Sequence, residues 1–136
     1  MGLDVTFYKR SKLDPRYSEE LCYFGKVNCI LTYFNIGEDD NCASITISKE
    51  KFEQFRDDLK KELGSHKGTH LPTEWNDSTC VEPNNEKLRT KKVFFGGSLE
   101  YDTSYWNSIR LLYCFTIRTI KSTDWDKDSL EIHCWW

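Results

Sequence analysis

Residues 93–115 read VFFGGSLEYDTSYWNSIRLLYCF, and they join two hydrophobic patterns of different period. The apolar run at 93–95 is typical of a short strand. From 103 onward, apolar residues recur every three to four positions, and Asp102 is a suitable helix N-cap. The glycines between the two patterns lack the spacing of a phosphate-binding loop, so we interpret them as a corner. The stretch predicts a strand followed by a helix over 103–121, which is an α+β arrangement.

The rest of the chain carries further helix and strand patterns. The predicted elements are strands at 3–10 and 129–136 and helices at 19–35 and 49–63. Ser18 and Ser48 are the expected N-caps of these helices, and Gly37 and Gly64 are the expected stops. We therefore expect one domain over 1–136, with three main helices packed on a small sheet of about three short strands. A long irregular insertion is expected at about 64–92.

The composition and the apolar pattern argue against a general nucleic-acid-binding protein, a membrane-spanning protein and a secreted protein. The net charge of −3 argues against general nucleic-acid binding, which requires a basic surface. The sequence has no apolar run of the roughly 20 residues that cross a bilayer, and no secretory pattern near its start. Six cysteines without a secretory pattern predict free thiols packed in the core, and therefore a cytoplasmic protein.

No catalytic, metal or cofactor pattern is evident. His66, His70 and Cys80 could in principle bind zinc, but the chain has no paired Cys-x-x-Cys ligands. There is also no Gly-x-Ser-x-Gly nucleophile elbow. We therefore expect no metal, no cofactor and no catalytic residue.

The sequence does offer a candidate ligand pocket. Lys26 and Asn28 are polar residues within an apolar stretch, and a fold that brings them to the start of the third helix would surround them with aromatic hydroxyl groups. The candidate ligand-binding residues are Tyr23, Lys26, Asn28, Tyr101, Asp102 and Tyr105. The structural alternative is that Lys26 extends its ammonium to solvent, Asn28 bonds a nearby loop and Asp102 serves only as an N-cap.

Two blocks of the sequence are similar to a known family. YFGKVNCILTYF at 23–34 and FFGGSLEYDTSYW at 94–106, with the opening MGLD, resemble a family of small phage and prophage proteins of uncharacterised function. The matching positions are Gly2, Leu3, Asp4, Tyr23, Lys26, Asn28, Ile30, Phe34, Phe94, Phe95, Gly96, Ser98, Tyr101, Asp102, Tyr105 and Trp136. Gly25 and Leu31 stand where the family has arginine and histidine. The resemblance implies a phage or bacterial setting and a shared fold, but no known activity.

Three functions remain open from the sequence. The first is a non-catalytic protein that binds and modulates a host protein, with Trp75 and Trp125 as candidate anchors. The second is a domain for a small molecule or nucleotide, with or without catalysis, that uses the Lys26 pocket. The third is a structural homo-oligomer joined through Trp135 and Trp136. The identity of the partner or ligand and the oligomeric state are not fixed by the sequence.

Overall fold

A computed structural model of the chain describes residues 2–65, 81–90 and 101–136. These residues form a four-stranded antiparallel sheet and three α-helices, which confirms the α+β class with one strand more than expected. The strands are β1 (Asp4–Ser11), β2 (Ser18–Gly25), β3 (Ser44–Ile47) and β4 (Asp128–Trp135). The helices are α1 (Cys29–Tyr33), α2 (Lys49–Ser65) and α3 (Thr103–Ser122). Within the described ranges no helix has the length and apolar character needed to span a membrane.

The sheet has the strand order β2-β1-β4-β3. β1 pairs with β4 along its whole length, from Asp4 opposite Trp135 to Ser11 opposite Asp128. Side chains alternate between faces along each strand, so Val5 and Phe7 point to one face, where both are fully buried. We call the opposite face the outer face of the sheet.

Phe7 lies at the centre of an aromatic core between the sheet and the helices. Its ring centroid is 5.9 Å from that of Phe24, 6.2 Å from that of Phe52 and 4.9 Å from that of Phe115. These rings come from β2, α2 and α3, so one side chain of β1 joins four elements. Burial of each ring stabilises the fold by roughly 1.5–3 kcal/mol, which makes this cluster the main anchor of both long helices.

The two long helices confirm the sequence prediction. α2 begins with the Ser48 hydroxyl accepting the Lys51 backbone N–H at 3.1 Å, and it continues one residue past Gly64. α3 begins with the Asp102 carboxylate accepting the Tyr105 backbone N–H at 3.1 Å. Each cap satisfies one of the N–H groups that the first helical turn leaves unpaired, so both helices start where the caps predict.

The helix predicted over 19–35 is wrong. Its first half is β2, in which Cys22 and Phe24 lie opposite Phe7 and Val5 and share their buried face. Pairing with β1 supplies partners for the backbone of β2, and this tertiary pairing overrides the helical preference of the segment. Only the second half, α1, is helical.

The helix stop was also predicted wrongly, and β3 was not predicted. After α1 the chain turns through Asn35, whose φ of 53° is left-handed, rather than at Gly37. The stretch after Gly37 contains the 3₁₀ turn Glu38–Asp40, and β3 then begins at Ser44, where the sequence analysis predicted no strand. β3 is only four residues long and gives little periodicity to detect.

The segment 81–90, within the predicted irregular insertion, contains the 3₁₀ turn Glu86–Leu88. It is held against two helices. The buried Glu62 carboxylate of α2 accepts the Asn85 backbone N–H at 2.6 Å, and the Tyr105 hydroxyl of α3 donates to the Leu88 carbonyl at 2.6 Å. These bonds fix the end of the segment beside the start of α3.

Several predictions fall on other parts of the chain. The strand at 93–95, most of the insertion at 64–92, and the residues Trp75, His66, His70, Cys80, Gly96 and Gly97 lie outside the described residues.

The described cysteines only partly follow the prediction of core packing. Cys29 and Cys134 are buried, whereas Cys42 and Cys114 are exposed and Cys22 is intermediate. All five are free thiols. Packing therefore explains two of them, and the exposed pair contradicts the expectation.

Candidate functional site

The junction between β2 and α1 forms one wall of a cleft. β2 ends at Gly25 and α1 begins at Cys29, so the chain reverses within a turn of three residues. The first two turns of α3 form the opposite wall. Together they enclose a cavity of about 420 Å³. The described lining residues are Gly25, Lys26, Val27, Asn28, Cys29, Thr90, Asp102, Ser104, Tyr105 and Ser108.

Lys26 occupies an unusual backbone conformation in this turn. Its φ is 61°, in the left-handed region that L-residues other than Asn and Asp rarely adopt. Two hydrogen bonds hold it there: its N–H donates to the Leu3 carbonyl at 2.7 Å, and its carbonyl accepts the Asn28 N–H at 3.1 Å. The conformation is thus imposed by the junction of β1, β2 and α1.

The Lys26 side chain is exposed at the cleft. Its stem lies beside Gly2, where an added Cβ would be 3.5 Å from the lysine Cε. Across residues 2–65, 81–90 and 101–136, no carboxylate oxygen lies within 4.0 Å of its ammonium nitrogen. The cleft therefore has a cation that no described carboxylate neutralises.

The α3 wall carries Asp102 and Tyr105. One carboxylate oxygen of Asp102 caps the helix, as predicted. The Tyr105 ring is almost fully buried. This burial is the largest cause that raises the pKa of the Tyr105 hydroxyl well above its usual value. Since that hydroxyl already donates to the Leu88 carbonyl, Tyr105 offers the cleft its ring surface rather than a reactive phenol.

Tyr101 lies behind the cleft. Its hydroxyl accepts the Thr90 backbone N–H at 3.2 Å, and its ring meets the Tyr105 ring edge to face with centroids 5.0 Å apart. It therefore positions Thr90 and Tyr105, both of which line the cavity.

Tyr23 lies at the rim. An added Cβ on Gly25 would be 3.0 Å from the Tyr23 hydroxyl oxygen, so the ring lies directly over this glycine of the cleft. The hydroxyl donates to the Asp4 carboxylate, and this bond is the largest cause that raises the pKa of Tyr23. Of the six candidate residues, four line the cavity, Tyr101 supports it and Tyr23 borders it.

The chemistry available in the cleft is that of binding. Burial raises the pKa of the Cys29 thiol to about 12, so this lining residue stays protonated at neutral pH and is a poor nucleophile. Within the described ranges there is also no group of three His, Cys, Asp or Glu side chains that could hold a metal ion. What the lining offers is one ammonium, one carboxylate, an amide and several hydroxyl groups.

Comparison of the chain with models of protein families, with curated proteins and with solved structures gave no match. The resemblance to phage and prophage proteins therefore stays a prediction, and function has to be argued from the geometry of the cleft and of the surface.

Six of the described lining residues were not among the candidates, and three of these six carry hydroxyl groups: Thr90, Ser104 and Ser108. Ser104 and Ser108 are four residues apart at the start of α3, and the Ser108 hydroxyl donates to the Ser104 carbonyl at 3.0 Å. Their helical spacing next to Asp102 was a usable signal. No local sequence pattern marks Thr90 as a site residue, because Thr90 reaches the cleft only through the packing of 81–90 against α2 and α3.

The proposed partner anchor Trp125 is half-buried. Its indole N–H donates to the Ile120 carbonyl at 3.3 Å, and its ring centroid is 6.5 Å from that of Phe52. Much of this side chain is therefore engaged within the fold. Trp75 lies outside the described residues, so the role of both tryptophans in partner binding stays a prediction.

Proposed function

We propose that this protein is a non-catalytic binding protein whose cleft holds a small polar ligand with an anionic group. One observation carries the proposal. Lys26 and Asn28 meet Asp102 and Tyr105 in a single cavity, and the Lys26 ammonium has no carboxylate within 4.0 Å among the described residues. An anionic group of the ligand pairs with this ammonium.

The cavity has the size and composition of a small-molecule site. Its volume of about 420 Å³ lies within the usual range of roughly 300–1,000 Å³. The Tyr105 ring and Val27 supply apolar contact, while Asn28, Ser104 and Ser108 supply hydrogen-bonding groups that orient the ligand. Such a mixture suits a compact, hydroxylated anion better than an apolar molecule.

The strained backbone at Lys26 supports the same function. A left-handed conformation costs an L-residue roughly 1–2 kcal/mol, and such costs persist where the surroundings impose them, often at functional sites. Here the strain fixes the origin of the side chain at the cleft. The bacterial or phage setting is part of the proposal and rests on the family resemblance alone, whereas the proposed cytoplasmic location rests on the cysteines and the lack of a secretory pattern.

The test uses thermal unfolding with three variants and a panel of named probes. Wild type, Lys26→Met and Lys60→Met are heated with millimolar inorganic phosphate, AMP, citrate or glutamate. Lys60 is an exposed lysine on α2 and serves as the matched control. We expect at least one probe to raise the melting temperature of wild type and Lys60→Met, because ligand binding stabilises the folded state by mass action.

The same probe should leave Lys26→Met unchanged. Native mass spectrometry of protein purified from a bacterial host gives a second measurement, since a tightly held molecule stays bound to wild type and is missing from Lys26→Met. Equal responses of Lys26→Met and wild type would refute the proposed role of the cleft, as would the absence of any response and of any retained molecule.

A further inference from the structure

The outer face of the sheet carries two exposed aromatic rings on either side of a carboxylate. Asp4 is paired with Trp135 of β4 on one side and with Gly25 of β2 on the other. Directly opposite residues share a face, and so do residues two apart on a strand, so Trp135 and Tyr23 lie on the outer face with Asp4. The Tyr23 hydroxyl donates to the Asp4 carboxylate, which draws this ring toward Asp4.

Both rings are available to a partner. Trp135 and Tyr23 are each 54% exposed, although large aromatic side chains are normally buried. Both are also held in place by the fold. Trp135 pairs with Asp4, and the next residue, Trp136, donates its backbone N–H to the Asn41 side chain at 3.1 Å and accepts from it at 2.9 Å. The backbone at the end of β4 is therefore fixed before a partner binds, which lowers the entropic cost of docking there.

The charge of the outer face of the sheet favours a cationic partner. Among the described strand residues of this face, Arg10 is the only lysine or arginine, and it is already paired with Glu131 of β4; His133 also lies on this face. Asp4 and Glu20 have no cation within 4.0 Å among the described residues. The faces of aromatic rings attract cations, and carboxylates attract them more strongly.

We propose that Tyr23, Asp4 and Trp135 form a docking surface for a basic segment of a partner protein. An arginine or lysine side chain lies against one or both rings, with its charged end at the Asp4 carboxylate. A second copy of this chain fits poorly, because an isologous contact through this face would bring Asp4 and Glu20 toward like charges. A nucleic acid fits poorly for the same reason.

This surface borders the cleft at Tyr23, but its proposed contacts do not include the Lys26 ammonium. The Lys26 ammonium belongs to the cleft, and Lys26→Met leaves Asp4, Tyr23 and Trp135 in place. Failure of one proposal can therefore be told apart from failure of the other.

The test measures binding of a fluorescein-labelled peptide in which arginine and serine alternate over eight residues, with fluorescence anisotropy in low salt. We expect Asp4→Asn and Trp135→Ala each to weaken binding roughly three- to tenfold, in keeping with the strength of cation–π and exposed charge contacts. Glu50→Gln is the matched control, since it removes an exposed carboxylate from α2. It should change the affinity less than twofold.

Chemical-shift mapping by NMR locates the contact. The indole N–H of Trp135 and the backbone of Asp4 should shift on titration, whereas α2 should not. Tyr23→Ala replaces Trp135→Ala if the latter does not fold, because Tyr23 is equally exposed.

Three results would overturn the proposal. The first is an equal loss of affinity in Glu50→Gln and Asp4→Asn, which would mean diffuse charge attraction. The second is the absence of binding by wild type. The third is sedimentation of wild type as a dimer that Trp135→Ala converts to a monomer, which would make the face a self-association surface.

Discussion

Replacement of Lys26 by glycine should make the protein more stable. The Lys26 φ of 61° costs a residue with a Cβ roughly 1–2 kcal/mol, a cost that glycine avoids. The hydrogen bonds at this position, to the Leu3 carbonyl and from the Asn28 N–H, are made by backbone atoms and remain in Lys26→Gly. The side chain itself is exposed, so its removal loses little buried apolar surface.

The size of the effect follows from two opposing terms. Relief of the left-handed strain contributes about 1–2 kcal/mol, and the greater freedom of glycine in the unfolded chain subtracts about 0.5–1 kcal/mol. With both terms at the middle of their ranges, the expected net gain is about 0.75 kcal/mol. For a domain of 136 residues this corresponds to a rise in melting temperature of roughly 2–4 °C.

Urea unfolding and calorimetry measure this gain against three control variants. Lys26→Ala removes the ammonium but keeps the Cβ, so its stability should stay within about 0.5 kcal/mol of wild type. Cys42 is exposed with a φ of 67°, and Cys42→Gly should gain as much as Lys26→Gly. Asn35→Gly should gain less, because asparagine tolerates this conformation better. The reasoning fails if Lys26→Gly is no more stable than Lys26→Ala.

Two further predictions concern buried groups. Burial raises the pKa of the Cys29 and Cys134 thiols to about 12 from the usual 9.0, so their stabilising contribution is complete below pH 9 and is lost as the pH rises toward 12. Urea unfolding should therefore show stability falling above pH 9, by up to about 1.4 kcal/mol per pH unit per thiol, and Cys134→Ala should have a clearly smaller slope. Tyr105→Phe removes the donor to the Leu88 carbonyl and should cost about 1–2 kcal/mol and speed amide exchange in 81–90, whereas Tyr17→Phe, an exposed control, should do neither.

The long helices were predictable because each combines a local cap with a wide apolar stripe. Ser48 and Asp102 are N-caps in the structure as in the sequence, and the buried Phe52, Phe55 and Leu59 recur at helical spacing. These signals lie within one element. They can therefore be read without knowing what the helix packs against.

The strand β2 could not be predicted from local signals of this kind. Leu21 and Phe24 are three residues apart, as on a helix face, while Cys22 and Phe24 are two apart, as on a strand face. The second spacing is the one used, because Cys22 lies opposite Phe7 of β1. The helical and the strand spacing are both present in β2, so the structure that forms depends on pairing with β1. The sequence of β2 alone does not show that pairing.

The juxtaposition of four candidate residues was predicted better than the element that carries two of them, whereas their role in binding stays a prediction. Lys26 and Asn28 were expected on a helix and are found in a turn, yet they meet Asp102 and Tyr105 as proposed. The reason is that polar residues between two buried segments have to reach the surface in either conformation. Thr90 joins them through long-range packing, which no local pattern shows.

The order of Gly25 and Lys26 connects the fold to the proposed function. Glycine is the usual residue where a turn needs a left-handed backbone conformation. In this turn the left-handed residue is Lys26, and the glycine, Gly25, lies one residue earlier. That glycine is instead used for close approach, because the Tyr23 ring occupies the space of its missing Cβ. Lys26 therefore occupies the strained position, and its side chain lies at the cleft. If stability alone governed this turn, glycine at both positions would serve it better, and a lysine at the strained position agrees with the proposed binding of an anionic group.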